Sequence, residues 1–381
     1  MVIHIGPSKT GTSTIQRETI AMEPFLAKDN FVYIGKFADR KFRQPTHAPV
    51  LLNHDRCFQE AATAWKQNHT SHFNETPCWK DRVSGIMKYY HKNTSIILSD
   101  EGYSYKSRFD NRTFYQLLSV AFEDWNVVVV PAYRRYAEWL LSASKEVNRK
   151  GCLGPKAPWK HNKGRPCMDL WKMTDRDRKS TEFGASYYKN LDASLPAWRE
   201  SGFRIALLDF HGEEHLTCNL FCNLIPNTPN TCKECRKRPP NRLNAQSSSF
   251  TAYNDILFAA EEQGVLPDSM LQKTRYEATM ELTHYHSTIL GKGLKDLPLI
   301  CPKPAHLDQL LNKSLAFEKM VMPTAYYLEL QEVHRAAFWE IANEKKEFCS
   351  VDAKMLLNGK TSWREVQKAM KKSKEWPTSY Y

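Results

Sequence analysis

The stretch IHIGPSKTGTSTIQ, residues 3–16, dictates a local architecture that few folds accommodate. An apolar, β-branched run reads as a buried strand and stops at Gly6. Glycine and hydroxyl residues follow, and a helical pattern runs from about Gly11 to Met22. A strand feeding a tight glycine turn and then a helix N-terminus aims several backbone N–H groups, and the positive end of the helix dipole, at one point. Such a turn is built to hold an anion. The triphosphate loop G-x-x-x-x-G-K-[ST] places its lysine directly after the second glycine. Here Gly6 and Gly11 keep that separation, but Thr12 fills the lysine slot and the lysine is Lys9, inside the loop. Ser8, Thr10, Gly11, Thr12 and Ser13 are the candidate phosphate contacts. Lys9 carries its charge on a flexible stem, suited to an oxygen that bridges two anionic groups. The plain alternative is a glycine turn that joins strand to helix and binds nothing.

Further strands are expected at FVYIG (31–35), SIILSDE (95–101), WNVVVVPAYRR (125–135) and FRIALLDFHG (203–212). Pro131 falls where its strand should be finishing, as suits a residue that cannot donate to a ladder. Residues 136–150 have apolar positions at helical spacing. Strands separated by helical segments predict an α/β fold with a parallel sheet and crossovers. Residues 66–82 are polar and read as a surface excursion, and QPTHAPVLLNH (44–54) reads as a loop. After about residue 250 the texture turns helical, with helices expected at 250–264, 269–291 and 324–347 and a last short one opened by a Ser362–Glu365 capping box. The expected division is an α/β core over 1–249, with a basic loop at 150–180, and a helical extension over 250–381.

The formal net charge of +12 points to an anionic partner. The loop 150–180 has nine Lys/Arg against three Asp, with Trp159 and Trp171 among them. Lysines beside tryptophans suit an anionic polysaccharide whose sugar faces stack on indole; they also suit single-stranded nucleic acid, but no nucleic-acid motif accompanies them. A solvated loop with buried tryptophans is the plain alternative. Ten cysteines, and five N-x-[ST] sequons at Asn68, Asn74, Asn93, Asn111 and Asn312, point to an oxidising, secretory compartment. Against this, the sequence offers no signal peptide and no apolar run of about 18 residues, which leaves a cytosolic chain or one with an upstream anchor outside this sequence; the expectation is the anchor, through which alone a membrane would be reached. Cys218, Cys222, Cys232 and Cys235 have a spacing open to a structural zinc site or to two disulfides. Disulfides are favoured by the sequons. Cys152 with Cys167, and Cys57 with Cys78, are further candidate pairs, leaving Cys301 and Cys349.

GPSKTGTSTIQ resembles the 5′-phosphosulfate loop of the sulfotransferases that use 3′-phosphoadenosine-5′-phosphosulfate (PAPS). The resemblance implies a three-layer, P-loop-like α/β fold with a central parallel sheet and PAPS as co-substrate. It implies that Lys9 touches the bridging oxygen and stabilises the departing nucleotide. It also implies a second signature, an arginine at a strand end and a serine eight residues on, both holding the 3′-phosphate. Arg134 and Ser142 have that spacing, with Arg135 and Ser144 as shifted rivals. A guanidinium at the carboxyl end of a strand sits where open α/β sheets bind ligands and can take a phosphate bidentately. The plain alternative is a helix start that happens to carry arginines and serines. DLPLICP, LNKSLAFE and FCSVD in the C-terminal part look like the eukaryotic carbohydrate-type members.

That reading makes the reaction a sulfuryl transfer from PAPS to a hydroxyl of an anionic or neutral glycan. Nucleic acid is not an expected partner, and no metal is required. The expected location is the Golgi lumen or another secretory compartment. The acceptor must lose a proton. Glu101, at a strand end on the same sheet edge as the loop, is the first candidate base; His47 is the second, and His54 ranks below it. A carboxylate at Glu101 equally pairs with a basic neighbour or caps a helix, and a lone loop histidine is equally structural or merely exposed. The rival functions are a nucleotide kinase or other triphosphate-dependent enzyme, and a non-catalytic glycan-binding protein on the same fold.

Overall fold

The computed structural model of the chain describes residues 1–6, 10–35, 60–64, 76–90, 92–100, 111–150, 194–212, 214–238, 249–284, 286, 296–322, 324–359, 364–365 and 368. The chain divides into two compact units, with the first division falling between Arg134 and Arg135.

The first unit is built on a parallel sheet. Its elements are β1 (Val2–Ile5), α1 (Thr12–Ala21), α2 (Glu23–Lys28), β2 (Phe31–Gly35), α3 (Pro77–Tyr90), β3 (Ser95–Asp100), α4 (Asn111–Ala121) and β4 (Val128–Tyr133). The helix α5 (Tyr136–Lys150) then belongs to the second unit, and the first resumes with β5 (Arg204–Ile205), β6 (Leu208–Asp209), α6 (Leu216–Asn219) and α7 (Pro229–Lys237). Strand order is β2-β3-β1-β4-β5, with β6 also on β4, and every pair is parallel. Both faces are covered. Ile3, Ile5, Ile96, Leu98 and Val129 pack with Trp79 and Ile86 of α3 and Tyr115, Leu117 and Leu118 of α4. Val2, Ile97, Val128, Val130 and Ala132 point the other way, against Ile15 of α1, Leu26 of α2 and the segment Cys218–Cys235. This alternation along strands buried on both sides is why they read as nearly continuous apolar runs. The unit is therefore a three-layer α/β sandwich.

Pro131 does not end β4. It pairs in register with Ile5, and the strand continues to Tyr133. The carbonyls of Val129 and Tyr133 accept from Ala206 and Phe210, while Val128 N–H donates to Met1, so the odd positions of β4 face β5 and β6. The missing Pro131 donor faces that side too. There the expected strand 203–212 is interrupted between Ile205 and Leu208, giving two short strands in place of one.

Residues 77–82, expected as surface excursion, are the first turns of α3, and Trp79 within them is fully buried. One amphipathic face carrying that indole outweighs the polarity of the rest. Pro24 opens α2 at its first turn, where the missing N–H costs nothing.

The second unit continues from α5 with α8 (Ser249–Glu262), α9 (Asp268–Leu271), α10 (Arg275–His284), β7 (Leu299–Ile300), α11 (Pro304–Val321), α12 (Thr324–Trp339), β8 (Ser350–Val351) and α13 (Ala353–Asn358). Tyr253, Ile256, Leu257 and Ala260 of α8 pack with Ala278 and Leu282 of α10 and Leu356 of α13. The single helix expected over 269–291 is broken, because Thr274 and Glu277 form a reciprocal cap: Thr274 N–H and hydroxyl both donate to Glu277 Oε2 at 2.8 Å, and Glu277 N–H donates back at 3.2 Å. The helix expected over 324–347 changes to π-helical winding at Glu340–Glu344.

Cys218 bonds Cys235, Cys222 bonds Cys232, and Cys301 bonds Cys349. The four-cysteine zinc alternative is not realised: sulfurs bonded to each other are not the thiolates that zinc takes. His215 lies beside the first pair, with Nδ1 3.9 Å from Cys218 Sγ and Nε2 3.6 Å from Glu18 Oε1. Three disulfides place the chain in an oxidising, secretory or extracellular environment. Among the described residues no helix is long and apolar enough to cross a membrane. The candidate pairs Cys152–Cys167 and Cys57–Cys78, and the basic loop beyond Lys150, lie outside what is described.

Candidate functional site

β1 and β3 end level, since Ile5 pairs with Asp100, and β4 runs two residues past the Ile5–Pro131 pair to Tyr133. From β1 the chain leaves toward β2, whereas β4 stands on the other side of β1. Such a reversal of strand order, here at the carboxyl ends of β1 and β4, is where open α/β sheets hold ligands. Gly6, Thr10 and Gly11, the described ends of the glycine turn, lie between β1 and α1.

The turn has no spare room. A Cβ on Gly6 would lie 2.4 Å from Thr12 Oγ1, 2.9 Å from Thr10 Oγ1 and 3.4 Å from Ala132 Cβ. Gly11, the residue before α1, has φ +82°, and a Cβ there would lie 2.3 Å from Leu216 Cδ2. A Cβ at either glycine would push neighbouring side chains aside, and Gly11 is also favoured by its left-handed backbone. Thr10 and Thr12 are buried, their hydroxyls turned inward against Gly6 and 3.5 Å from each other. Ser13 and Thr14 are half-buried on the first turn of α1. Gly11, the N-cap residue, has no side chain with which to cap that turn, and the turn holds no acidic residue to oppose the helix dipole.

Arg134 follows the last residue of β4 and is half-buried. Its guanidinium carbon lies 4.7 Å from the centre of the Phe210 ring. Phe210 also borders the turn, with Cε2 3.4 Å from the position of a Gly11 Cβ, and its N–H donates to Tyr133 O at 2.9 Å. Phe210 thus joins the loop to the arginine. Sequence reasoning passes over it, because one aromatic residue after a short strand carries no pattern; its only signal is its place at the end of a strand beside β4.

Beneath the turn, on β1, His4 is fully buried, with Nδ1 2.7 Å from Ser99 Oγ of β3. Gln16 of α1 donates to Ser99 O at 3.1 Å. Burial pushes the His4 imidazole down to about 4, so it is neutral near pH 7.

The shifted rival Arg135 has a different environment, in the second unit. It is buried, with Nη1 3.7 Å from Glu138 and Nε 3.9 Å from Glu318. Ser144 is buried and Ser142 half-buried on α5. Around Arg135 a polar chain is closed off from solvent: Ala137 N–H donates to Ser314 Oγ at 3.3 Å, Ser314 Oγ lies 3.0 Å from His334 Nε2, and His334 Nδ1 lies 2.7 Å from Glu318 Oε2. Ser314, His334 and Glu318 are each at most 1% exposed. This is a Ser-His-Glu arrangement whose hydroxyl no substrate reaches, and what it does is hold the first turn of α5 to α11 and α12.

Thr10, Gly11, Thr12 and Arg134 are therefore assembled around Gly6 and Phe210 in the first unit, with Ser13 beside them, and Ser142 lies on α5 in the second. Ser8, Lys9, His47, His54 and Glu101 lie outside the described residues. No protein-family model, curated protein or solved structure matches this chain.

Proposed function

We propose that the chain is a PAPS-dependent sulfotransferase that moves a sulfuryl group to a carbohydrate hydroxyl in the Golgi lumen or a neighbouring secretory compartment. The observation that supports this most is the glycine turn between β1 and the N-terminus of α1, with Arg134 at the end of the adjacent β4. One cradle suits the 5′-phosphosulfate and one cation suits a second phosphate on the same nucleotide. In the reaction the acceptor oxygen attacks sulfur in line, the bond from sulfur to the 5′-phosphate oxygen breaks, and its electron pair leaves with 3′,5′-ADP. Lys9, by the resemblance, neutralises the oxygen that departs. Glu101 or His47 takes the acceptor proton. Charge stabilisation rests on Lys9 and the loop amides, and the reading calls for no metal.

Thermal unfolding with 3′,5′-ADP against ATP tests this. The expected result is a rise in Tm with 3′,5′-ADP and little with ATP. Stabilisation by ATP alone overturns it in favour of a triphosphate enzyme. Failure of both nucleotides, with binding of sulfated glycans, overturns it in favour of a non-catalytic binder.

A further inference from the structure

Three of the five sequons fall on described residues, and their surroundings differ sharply. At Asn312 the residue is exposed, but it lies inside α11, and the hydroxyl two positions on belongs to Ser314, which is 0% exposed and held between Ala137 N–H and His334. At Asn111 the third residue, Thr113, is 5% exposed within α4. Asn93-Thr94-Ser95 is unlike both. It forms the turn between α3 and β3, Asn93 is exposed, and its backbone is left-handed at φ +52°. The turn is anchored by its carbonyl, its amides and the Thr94 hydroxyl: Asn93 O accepts from Asn30 Nδ2 at 2.8 Å, Ser95 N–H donates to Asn30 O at 3.0 Å, and Thr94 Oγ1 donates to Asn30 Oδ1 at 3.4 Å. Among the described residues the Asn93 side-chain amide makes no hydrogen bond. Ser95 is only half-buried at the first position of β3.

We propose that Asn93 carries an N-linked oligosaccharide. The donor is a polyisoprenyl-diphosphate oligosaccharide of the secretory pathway, and the oxidising environment set by the disulfides is where such transfer takes place. The Asn93 amide nitrogen bonds to the anomeric carbon, the bond from that carbon to the diphosphate oxygen breaks, the lipid diphosphate leaves with the electron pair, and one amide proton passes to a base of the transferring enzyme. Asn30 and Asn93 precede the first residues of β2 and β3, so the glycan stands at the edge where the parallel strands begin. The six residues of β3 separate it by about 20 Å from the opposite edge, which the glycine turn and Arg134 occupy.

Two measurements on the unaltered chain test this. In the first, the chain is secreted from eukaryotic cells behind a secretion leader, and the peptide spanning Asn93 is mapped by mass spectrometry before and after enzymatic glycan removal. The expected result is that most copies are glycosylated at Asn93. An unmodified Asn93 peptide overturns the proposal. In the second, the folded, oxidised, unglycosylated chain is given to purified oligosaccharyltransferase with its lipid-linked donor. Asn93 is expected to react and Asn312 to stay unmodified. Equal modification of Asn312 overturns the accessibility argument on which the choice of Asn93 stands.

Discussion

The ring of Phe210 borders both Gly11 and Arg134, with Cε2 3.4 Å from the position of a Gly11 Cβ and the ring centre 4.7 Å from the arginine's guanidinium carbon. The contact fixes a long cation beside the turn. Replacing the ring removes that contact and leaves the charge of Arg134 in place. Phe210→Leu is expected to weaken 3′,5′-ADP binding by roughly 5-fold, the scale of a half-buried cation–π contact of about 1 kcal/mol. Arg134→Ala removes the charge itself and is expected to weaken it by roughly 30-fold or more, as for a charge-assisted hydrogen bond. Titration calorimetry of both variants checks the order; an Arg134→Ala variant that binds as tightly as the parent sinks the assignment of that residue.

Lys9→Ala is expected to abolish sulfuryl transfer to a glycan acceptor while leaving 3′,5′-ADP binding largely in place, because the charge is needed as the bond to the departing oxygen breaks. Transfer of labelled sulfate from PAPS, followed alongside nucleotide binding, separates the effects. Full turnover by the variant would be fatal to the proposed chemistry.

Two glycines share a left-handed backbone but not a neighbourhood. Gly11 has φ +82° with Leu216 crowding any Cβ, whereas Gly202 has φ +83° and nothing within 4 Å. Gly202→Ala therefore reports the backbone penalty alone, about 1 kcal/mol. Gly11→Ala is expected to cost that and in addition the cost of moving the Leu216 side chain, up to about 1 kcal/mol. Urea unfolding of the pair gives the difference directly, and equal losses would show that the turn yields easily.

The buried His4 makes stability depend on pH. Its folded pKa, about 4, lies below the unfolded value near 6.5. Between those values the unfolded chain binds a proton that the folded chain refuses, so the contribution of His4 is fully present above about pH 6.5, falls as pH falls, and is gone near pH 4. The loss is on the order of 3 kcal/mol across that window. His4→Gln should flatten this part of the stability curve measured by denaturant titration; an unchanged slope would assign the effect to other groups.

The disulfides differ in the chain they close. Cys301 and Cys349 are 48 residues apart, against 10 for Cys222 and Cys232. By loop-closure entropy, replacing the first pair with serine is expected to cost about 4 kcal/mol and the second about 3 kcal/mol. Calorimetric melting of the two double variants tests that order.

Much of this was legible from local spacing alone. FVYIG and residues 136–150 become β2 and α5 with those boundaries, because an apolar run bounded by turn formers, or one repeating every three to four positions, carries its own periodicity. The cap that splits α9 from α10 was also present in the letters, as Thr274-Arg-Tyr-Glu277, and the apolar spacing around it hid it. Other features have no local signature. Trp79 turns a polar stretch into a packed helix only because a sheet is there to receive it. Phe210 matters only because β6 lies beside β4. Spacing alone favours Arg134 over Arg135, and what the letters do not show is that Arg135 lies beside the carboxylates of Glu138 and Glu318.

Pro131 has a further consequence for the chain before it is fully folded and among its copies. A long, regular outer strand exposes a row of free N–H and C=O groups that another molecule's strand can join. By removing one donor in the middle of β4, the proline leaves its neighbours as pieces of two residues each, β5 and β6. Such fragments are poor templates for strand addition. The residue that breaks the ladder thereby helps to keep copies of this chain from zipping together along that edge.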